Sequence, residues 1–506
     1  MVRILRCERE DRKNIFGTVG HQPSRVKACA TVLTGAISVI DCLFPIASNG
    51  LMNSLRFLLG ALWAALSIQG AVAAPSQLAF PTAEGYGRFA TGGRGGDVYQ
   101  VTQLGDEGPG SLRAGIENAE GPRTIIFTVS GTIQLKKPLR VENQHGLTIA
   151  GQTAPGDGIT LRDQTFQIKD SSNIIVRFLR FRLGDESKTS GDTLHISKAK
   201  DVIFDHVTAT WGVDGTMDTD HLSNFTLQWS MFGEALHEST HHKGGHAMLM
   251  SLRKTRGKVS IHHNLLFSSR NRHPTLSGLP DQSNGDGALF DFRNNVIYNW
   301  EGSLNLGAGQ FNIVSNYYRP GPNTKTSNDR FPIRPKVKVD HQTFAYFSGT
   351  AFEWNEAWTK DNHLAMQWGI RDEGYPGKVP KETSLMRDQP VAESDRPITY
   401  LAKEAYTQVL AKAGASLMRD AADKRVIQGV LDRTHRRIDS QKEVGGWPTL
   451  ESKPASLDTD RDGMPDDWEK EHQLDPNNPE DRNADQDGDG YTNLEEHLNS
   501  LAAVTQ

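Results

Sequence analysis

The sequence predicts an all-β fold, a parallel β-solenoid in which short strands stack in successive rungs. Apolar-x-apolar pairs, each aligned with a residue three further on, recur along the chain. They are Leu147/Ile149, Ile174/Val176/Leu179, Val202/Phe204/Val207, Phe225/Leu227/Ser230, Val259/Ile261/Asn264, Phe290/Phe292/Asn295 and Phe311/Ile313/Asn316. Their starts lie 21 to 34 residues apart, so a rung takes about 22 residues, with loops inserted in the longer steps. Period-two alternation marks each as a half-buried strand. Asn264, Asn295 and Asn316 share one position after the strand, where stacked amides hydrogen-bond up and down a sheet corner. Glycine, at 48 of 506 residues, suits a turn-rich β chain. An antiparallel sandwich would need frequent two-residue hairpin turns, and the repeat column accounts for the sequence better.

The elements follow in order. Residues 1–51 read as a dispensable extension, with Met52 as the working start. Residues 52–73 read as a signal peptide: Met52-Asn-Ser-Leu-Arg56 is a short basic region, Phe57 to Ile68 is apolar, and Ala71-Val-Ala-Ala74 offers small residues for cleavage. A membrane anchor is the alternative, but the apolar run is short for a span. A second run, Thr31 to Ala47, is interrupted by Asp41 and Pro45. All three cysteines, Cys7, Cys29 and Cys42, precede residue 52. An exported chain without disulfides must draw its stability from a large core or from bound metal.

Residues 80–345 form the solenoid, and 346–450 form an extension wrapping it. Within that extension Tyr400, Leu401, Ala405, Val409, Leu410, Val426, Ile427, Val430 and Leu431 recur at helical spacing, and Gly445-Gly-Trp-Pro448 closes it. Residues 456–499 differ sharply. Asp458, Asp460, Asp462, Asp466 and Glu469 occupy positions one, three, five, nine and twelve of a loop with Gly463 at six. Asp485, Asp487, Asp489, Asn493 and Glu496 repeat the pattern around Gly490. This spacing wraps oxygen ligands around calcium. The paired loops resemble dockerin-type or thrombospondin-type-3 calcium repeats. They act either in docking a cohesin-like or cell-surface partner or as a stabilising module.

The formal net charge of −5 argues against general nucleic-acid binding. Asp192, Asp214 and Asp218 lie ahead of neighbouring strands. In a solenoid they converge on one edge and bind a hard cation, or they are ordinary turn aspartates. Arg270 and Arg272 follow two rungs later and suit an anionic ligand, since arginine pairs bidentately with carboxylates. His237, His241, His242 and His246 surround Lys243. They line a groove or hold zinc, although no cysteine or HExxH supports zinc. Gly92-Gly-Arg-Gly-Gly96 lacks the Gly-Lys-Ser/Thr of a phosphate loop. The Asn224-Phe-Thr226 sequon falls on a core strand, and no GxSxG supports a serine esterase.

The opening Phe80-Pro-Thr-Ala-Glu-Gly-Tyr-Gly-Arg-Phe-Ala-Thr-Gly-Gly-Arg-Gly-Gly96, with Gly108-Pro-Gly-Ser-Leu-Arg113 and Val129-Ser-Gly-Thr-Ile133, resembles pectate lyases of polysaccharide lyase family 1. The likeness covers residues 80–330 well and 395–448 more loosely. It implies a right-handed, single-stranded parallel β-helix and a secreted, monomeric enzyme that cleaves polygalacturonate (pectin) by β-elimination with Ca2+. The resemblance places the catalytic calcium on Asp192, Asp214 and Asp218. It makes Arg272, in Arg272-His-Pro274, the base, although arginine ordinarily has a pKa of about 12.5 or more. The family's second arginine is missing after Pro274, leaving Arg270 as its substitute. The family's groove cation falls to Lys243 or His246. A calcium-independent pectin lyase and a non-catalytic β-helix adhesin are the competing readings. The aspartate trio argues against the former, and the latter would not need Arg272.

Overall fold

A computed structural model describes residues 77–279, 287–327, 331–337, 343–366, 369–370, 386–391 and 396–503. The extension and leader expected over 1–73 lie outside them. The fold is a right-handed parallel β-helix of three parallel sheets with ten, nine and nine strands. Each sheet takes every third strand of the rungs, and the right-handed crossover is the one that right-twisted strands favour.

The repeat column is the first sheet. Leu147 lies opposite Ile174, Ile174 opposite Val202, and Val202 opposite Phe225. Phe225 pairs in turn with Val259, Val259 with Phe290, and Phe290 with Phe311. These residues enter one continuous buried core. The second and third sheets add strands as short as two residues, such as Ala351–Phe352, and the second sheet has many of three, such as Met231–Gly233.

A single left-handed residue turns the chain from the first sheet to the second. Phe178, His206, Trp229, His263, Asn294 and Ser315 take φ between 48° and 57° at this corner. Each such non-glycine residue costs about 1–2 kcal/mol. Contacts along the axis offset that cost. Outside the corner, Trp229 stacks on His263 at 4.3 Å and Phe178 on His206 at 4.8 Å. Inside it, Asn264 donates from Nδ2 to Asn295 Oδ1 (3.0 Å), and Asn295 donates to Asn316 Oδ1 (3.1 Å).

The outer faces of two sheets are covered. The opening strap lies across the first sheet, with Phe80, Ala83 and Ala90 against Ile175 and Ile203. Its Gly93 N–H donates to Thr148 Oγ1 (2.9 Å). A Cβ on Gly92, at φ +53°, would stand 2.1 Å from the same oxygen, which explains a glycine run that binds no phosphate. Helices Ala402–Lys412 and Ala421–Leu431 pack Val409, Leu410, Val426 and Val430 onto Met231, Leu265, Val296 and Tyr298 of the second sheet. Leu401 and Leu431, expected on the apolar stripe, are exposed. The paired acidic loops and their helices Asp466–Glu471 and Asn493–Ala502 set Met464, Leu494 and Leu498 against Ile126 and Ala150. The third sheet keeps a polar outer face. Among the described residues no helix is long and apolar enough to cross a membrane.

Candidate functional site on the third sheet

Outward positions of the third sheet form a polar column. Gln167 lies opposite His195, His195 opposite Asp218, Asp218 opposite Ser251, and Ser251 opposite Thr275. Asp192 and Asp214 sit just before strands Leu194–Ser197 and Gly215–Asp220. The solenoid stacking thus brings Asp192 of one rung beside Asp214 and Asp218 of the next. Burial pushes the Asp192 carboxyl well up, Asp214 and Asp218 push it further, and Arg272 and Arg253 pull it down. Ligand atoms of Asp192, His195 and Asp218 lie within 4.8 Å of one another. Asp218 Oδ1 is buried with no hydrogen-bond partner. A Cβ at Gly215 would approach Asp192 Oδ1 to 2.8 Å, so glycine leaves room for that carboxylate. Clustered carboxylates with an orphaned oxygen suit a hard cation.

Arg272 stands close enough to this cluster to pull the Asp192 carboxyl down. Its backbone is left-handed (φ +61°), its N–H is held by Asn271 Oδ1 at 2.7 Å, and its carbonyl accepts from Met250 N at 3.0 Å. Arg270 turns away, donating through Nη1 to the Gly245 carbonyl.

The 235–247 loop separates the two groove-cation candidates. His246 Nε2 lies 2.9 Å from Asp214 Oδ1, and its ring stacks on His241 at 3.8 Å. Lys243 is exposed and meets the cluster through its backbone, its N–H donating to His241 Nδ1 (3.2 Å). That bond leaves the proton of neutral His241 on Nε2, the nitrogen facing Asp214, which disfavours zinc there. The histidines instead brace Asp214. The sequence reading missed His195 and Arg253. Their signal is the outward parity they share with Asp218, which is visible only once the register is known.

In the first C-terminal loop, ligand atoms of Asp458, Asp460 and Asp462 lie within 4.8 Å, as do those of Asp462, Glu469 and Asp481. Asp481 was not expected from the loop spacing. Glu469 is buried with both carboxylate oxygens lacking partners. Asp466 turns out of the loop: its oxygens accept from Thr459 N and Oγ1, each at 2.8 Å. The second loop repeats the backbone pattern, with Asp485 accepting from Gly488 N (2.8 Å) and Gly490 N (3.0 Å). Asp487 and Asp489 accept from Asp489 N and Tyr491 N. Asn493 reaches back to the Asp481 carbonyl (2.8 Å). Burial, then Asp489, Asp487 and Asp485, push the Glu496 carboxyl up.

No family model matches the chain. Among curated proteins, the probable pectate lyase C of Aspergillus flavus is 33% identical over 436 residues, 84% of this chain and 94% of that protein. The probable pectate lyase C of Emericella nidulans is 34% identical over 429 residues, 84% of this chain and 93% of that protein. Among solved structures, the major allergen of cedar pollen has a TM-score of 0.42 at 17% identity, covering 64% of this chain and 90% of its own. A Bacillus pectate lyase in complex with trigalacturonate also scores 0.42, at 14% identity, covering 66% and 99%. Fold, open polar face and relatives together define a polysaccharide lyase on a parallel β-helix. The chain belongs to the pectate lyase family.

Proposed function

We propose that the chain is a secreted, calcium-dependent pectate lyase that cleaves polygalacturonate by β-elimination to unsaturated oligogalacturonides. The observation that carries this reading is the cluster of Asp192, His195 and Asp218 ligand atoms within 4.8 Å of one another on the polar face of the third sheet, with Asp214 and Arg272 close enough to act on Asp192. The aspartates, with His195 beside them, would hold a calcium ion. When bound, that ion neutralises the uronate carboxylate and the charge that builds on it as the adjacent proton leaves. Arg272 takes the proton α to the carboxylate. The bond from the β carbon to the glycosidic oxygen then breaks, a carbon–carbon double bond forms, and water protonates the departing oxygen. His246, held against Asp214, rather than Lys243 takes the family's groove position, as a hydrogen-bonding group more than a cation, since burial lowers its imidazole pKa despite Asp214. Arg270, tied to the Gly245 carbonyl, supports the loop. The paired C-terminal loops bind calcium as a structural module. The leader read over 52–73 supports secretion.

Purified protein is incubated with polygalacturonate, with and without a calcium chelator, and ultraviolet absorbance of the unsaturated product is followed. Product that disappears with chelator and returns with added calcium is expected. Equal rates in both conditions would remove the calcium, and no product in either would remove the lyase.

A further inference from the structure

We infer that Arg253 forms a subsite for a uronate carboxylate next to the reacting one and so selects unesterified polymer. The inference rests on the pectate lyase reading. Strand Met248–Thr255 lies between the rung of Asp214 and Asp218 and the rung that follows Arg272. In it Arg253 lies opposite Asp220, and its Nη2 donates to Asp218 Oδ2 at 2.5 Å. Asp218 therefore faces two ways. One oxygen fixes the guanidinium, and the other is buried without a hydrogen-bond partner.

The Arg253 side chain is 53% exposed on the groove face. A guanidinium carries five donors in a planar fork matched to a carboxylate. Asp218 engages it through Nη2, and the exposure of the side chain leaves other donors open to a ligand. Parallel strands lie about 4.8 Å apart, so Arg253 is roughly one rung from the aspartate cluster and one from the rung of Arg272. A polymer with one carboxylate per sugar, laid along the column, places an anion there. A methyl ester at that sugar carries no charge and cannot accept the fork bidentately.

The test is steady-state kinetics at saturating calcium on polygalacturonate and on highly methyl-esterified pectin, for the native protein, Arg253→Ala and Arg253→Lys. For Arg253→Ala we expect KM on polygalacturonate to rise about tenfold or more, as for a lost charge-assisted pair. We expect kcat to stay within a few-fold, with little change on esterified pectin. Arg253→Lys, which keeps charge without the fork, should fall between. An unchanged KM on polygalacturonate overturns the subsite, as does an equal rise on both polymers. A calcium titration of each variant completes the test: a raised KM that returns to native when calcium is increased would make Arg253 only a support for Asp218 and overturns the subsite. Inactive native protein instead strikes the lyase reading itself.

Discussion

Arg272 owes its place to three backbone constraints rather than to its side chain. These are a left-handed φ, the Asn271 side chain on its N–H, and the bond from Met250 N to its carbonyl. Replacing its side chain should therefore leave the backbone trace intact. Arg272→Ala is expected to lower kcat by about 10²–10⁴, the range for a positioned proton-transfer group, with the circular dichroism spectrum and melting temperature of the native protein. Activity within a few-fold of native would place the base elsewhere. His246→Ala should lower turnover while Lys243→Ala should not, a comparison that reads which residue returns to the groove. The aspartates were legible because they precede recognisable strands. The choice between Lys243 and His246 was not, because distant residues fix the loop. His246 N donates to the His237 carbonyl, and His237 N donates to the carbonyl of Ile438 in the extension.

Among the elements, first-sheet strands could be read directly, since alternation over five or six residues fixes which face is buried. The second sheet's strands, mostly three or four residues long, carry too little period to be read, and third-sheet strands such as Gly215–Asp220 and Met248–Thr255 have polar outer residues that break a clean apolar alternation, so both sheets were visible only as spacing between rungs. The asparagine ladder was legible as a repeated position, and it is where the corner is most easily broken. Asn295 Oδ1 accepts from both Asn264 N (3.1 Å) and Asn264 Nδ2 (3.0 Å), while its Nδ2 serves the Ile261 carbonyl (2.9 Å). Asn295→Ala strands these groups in the core and should cost about 2–4 kcal/mol, read as a lower midpoint in denaturant. The helical extension is held by a buried acid. Glu234 accepts from Trp211 Nε1 (2.9 Å) and pairs with Arg425 (2.6 Å) and His435 (2.8 Å). Burial alone would raise its carboxyl, but His435 and Arg425 outweigh it and bring it down to about 2. The stabilisation is complete above the ordinary carboxylate pKa of about 4.3 and is lost as pH falls toward 2. Hydrogen exchange in helices Ala402–Lys412 and Ala421–Leu431 should therefore accelerate across that window. Glu234→Gln should flatten the response, and an unaltered acid response in that variant would assign it to another group.

At the scale of the whole molecule, the proposed calcium sites serve different ends. The third-sheet cluster lies on the open face. The C-terminal module clasps the first coils: Gln100 Nε2 donates to Asp458 Oδ2 (2.7 Å), Arg94 Nε donates to both oxygens of Glu495 (2.8 Å each), and Leu494 and Leu498 lie on Ile126. The loop spacing pointed to Asp458, Asp460, Asp462 and Glu469 as one cluster, but to neither Asp481 nor this docking, because the apolar positions that dock are common to any amphipathic helix. The first loop crowds its acids. Burial, then Asp462, Asp460, Asp481 and Asp458, push Glu469 up to about 8. A divalent cation relieves that repulsion only in the folded chain, and such a ligand stabilises by about 2.7 kcal/mol at a hundred times its Kd. Calcium should therefore raise the melting temperature of the full chain. Glu469→Gln should remove most of that increment while turnover at saturating calcium persists. Asp218→Asn should do the reverse, keeping the thermal increment and losing turnover. Calorimetry and product absorbance on the two variants measure both halves. If either variant lost the thermal increment and turnover together at saturating calcium, the two sites would be one coupled unit, and the separation argued from the covered first sheet and the open third sheet would fail.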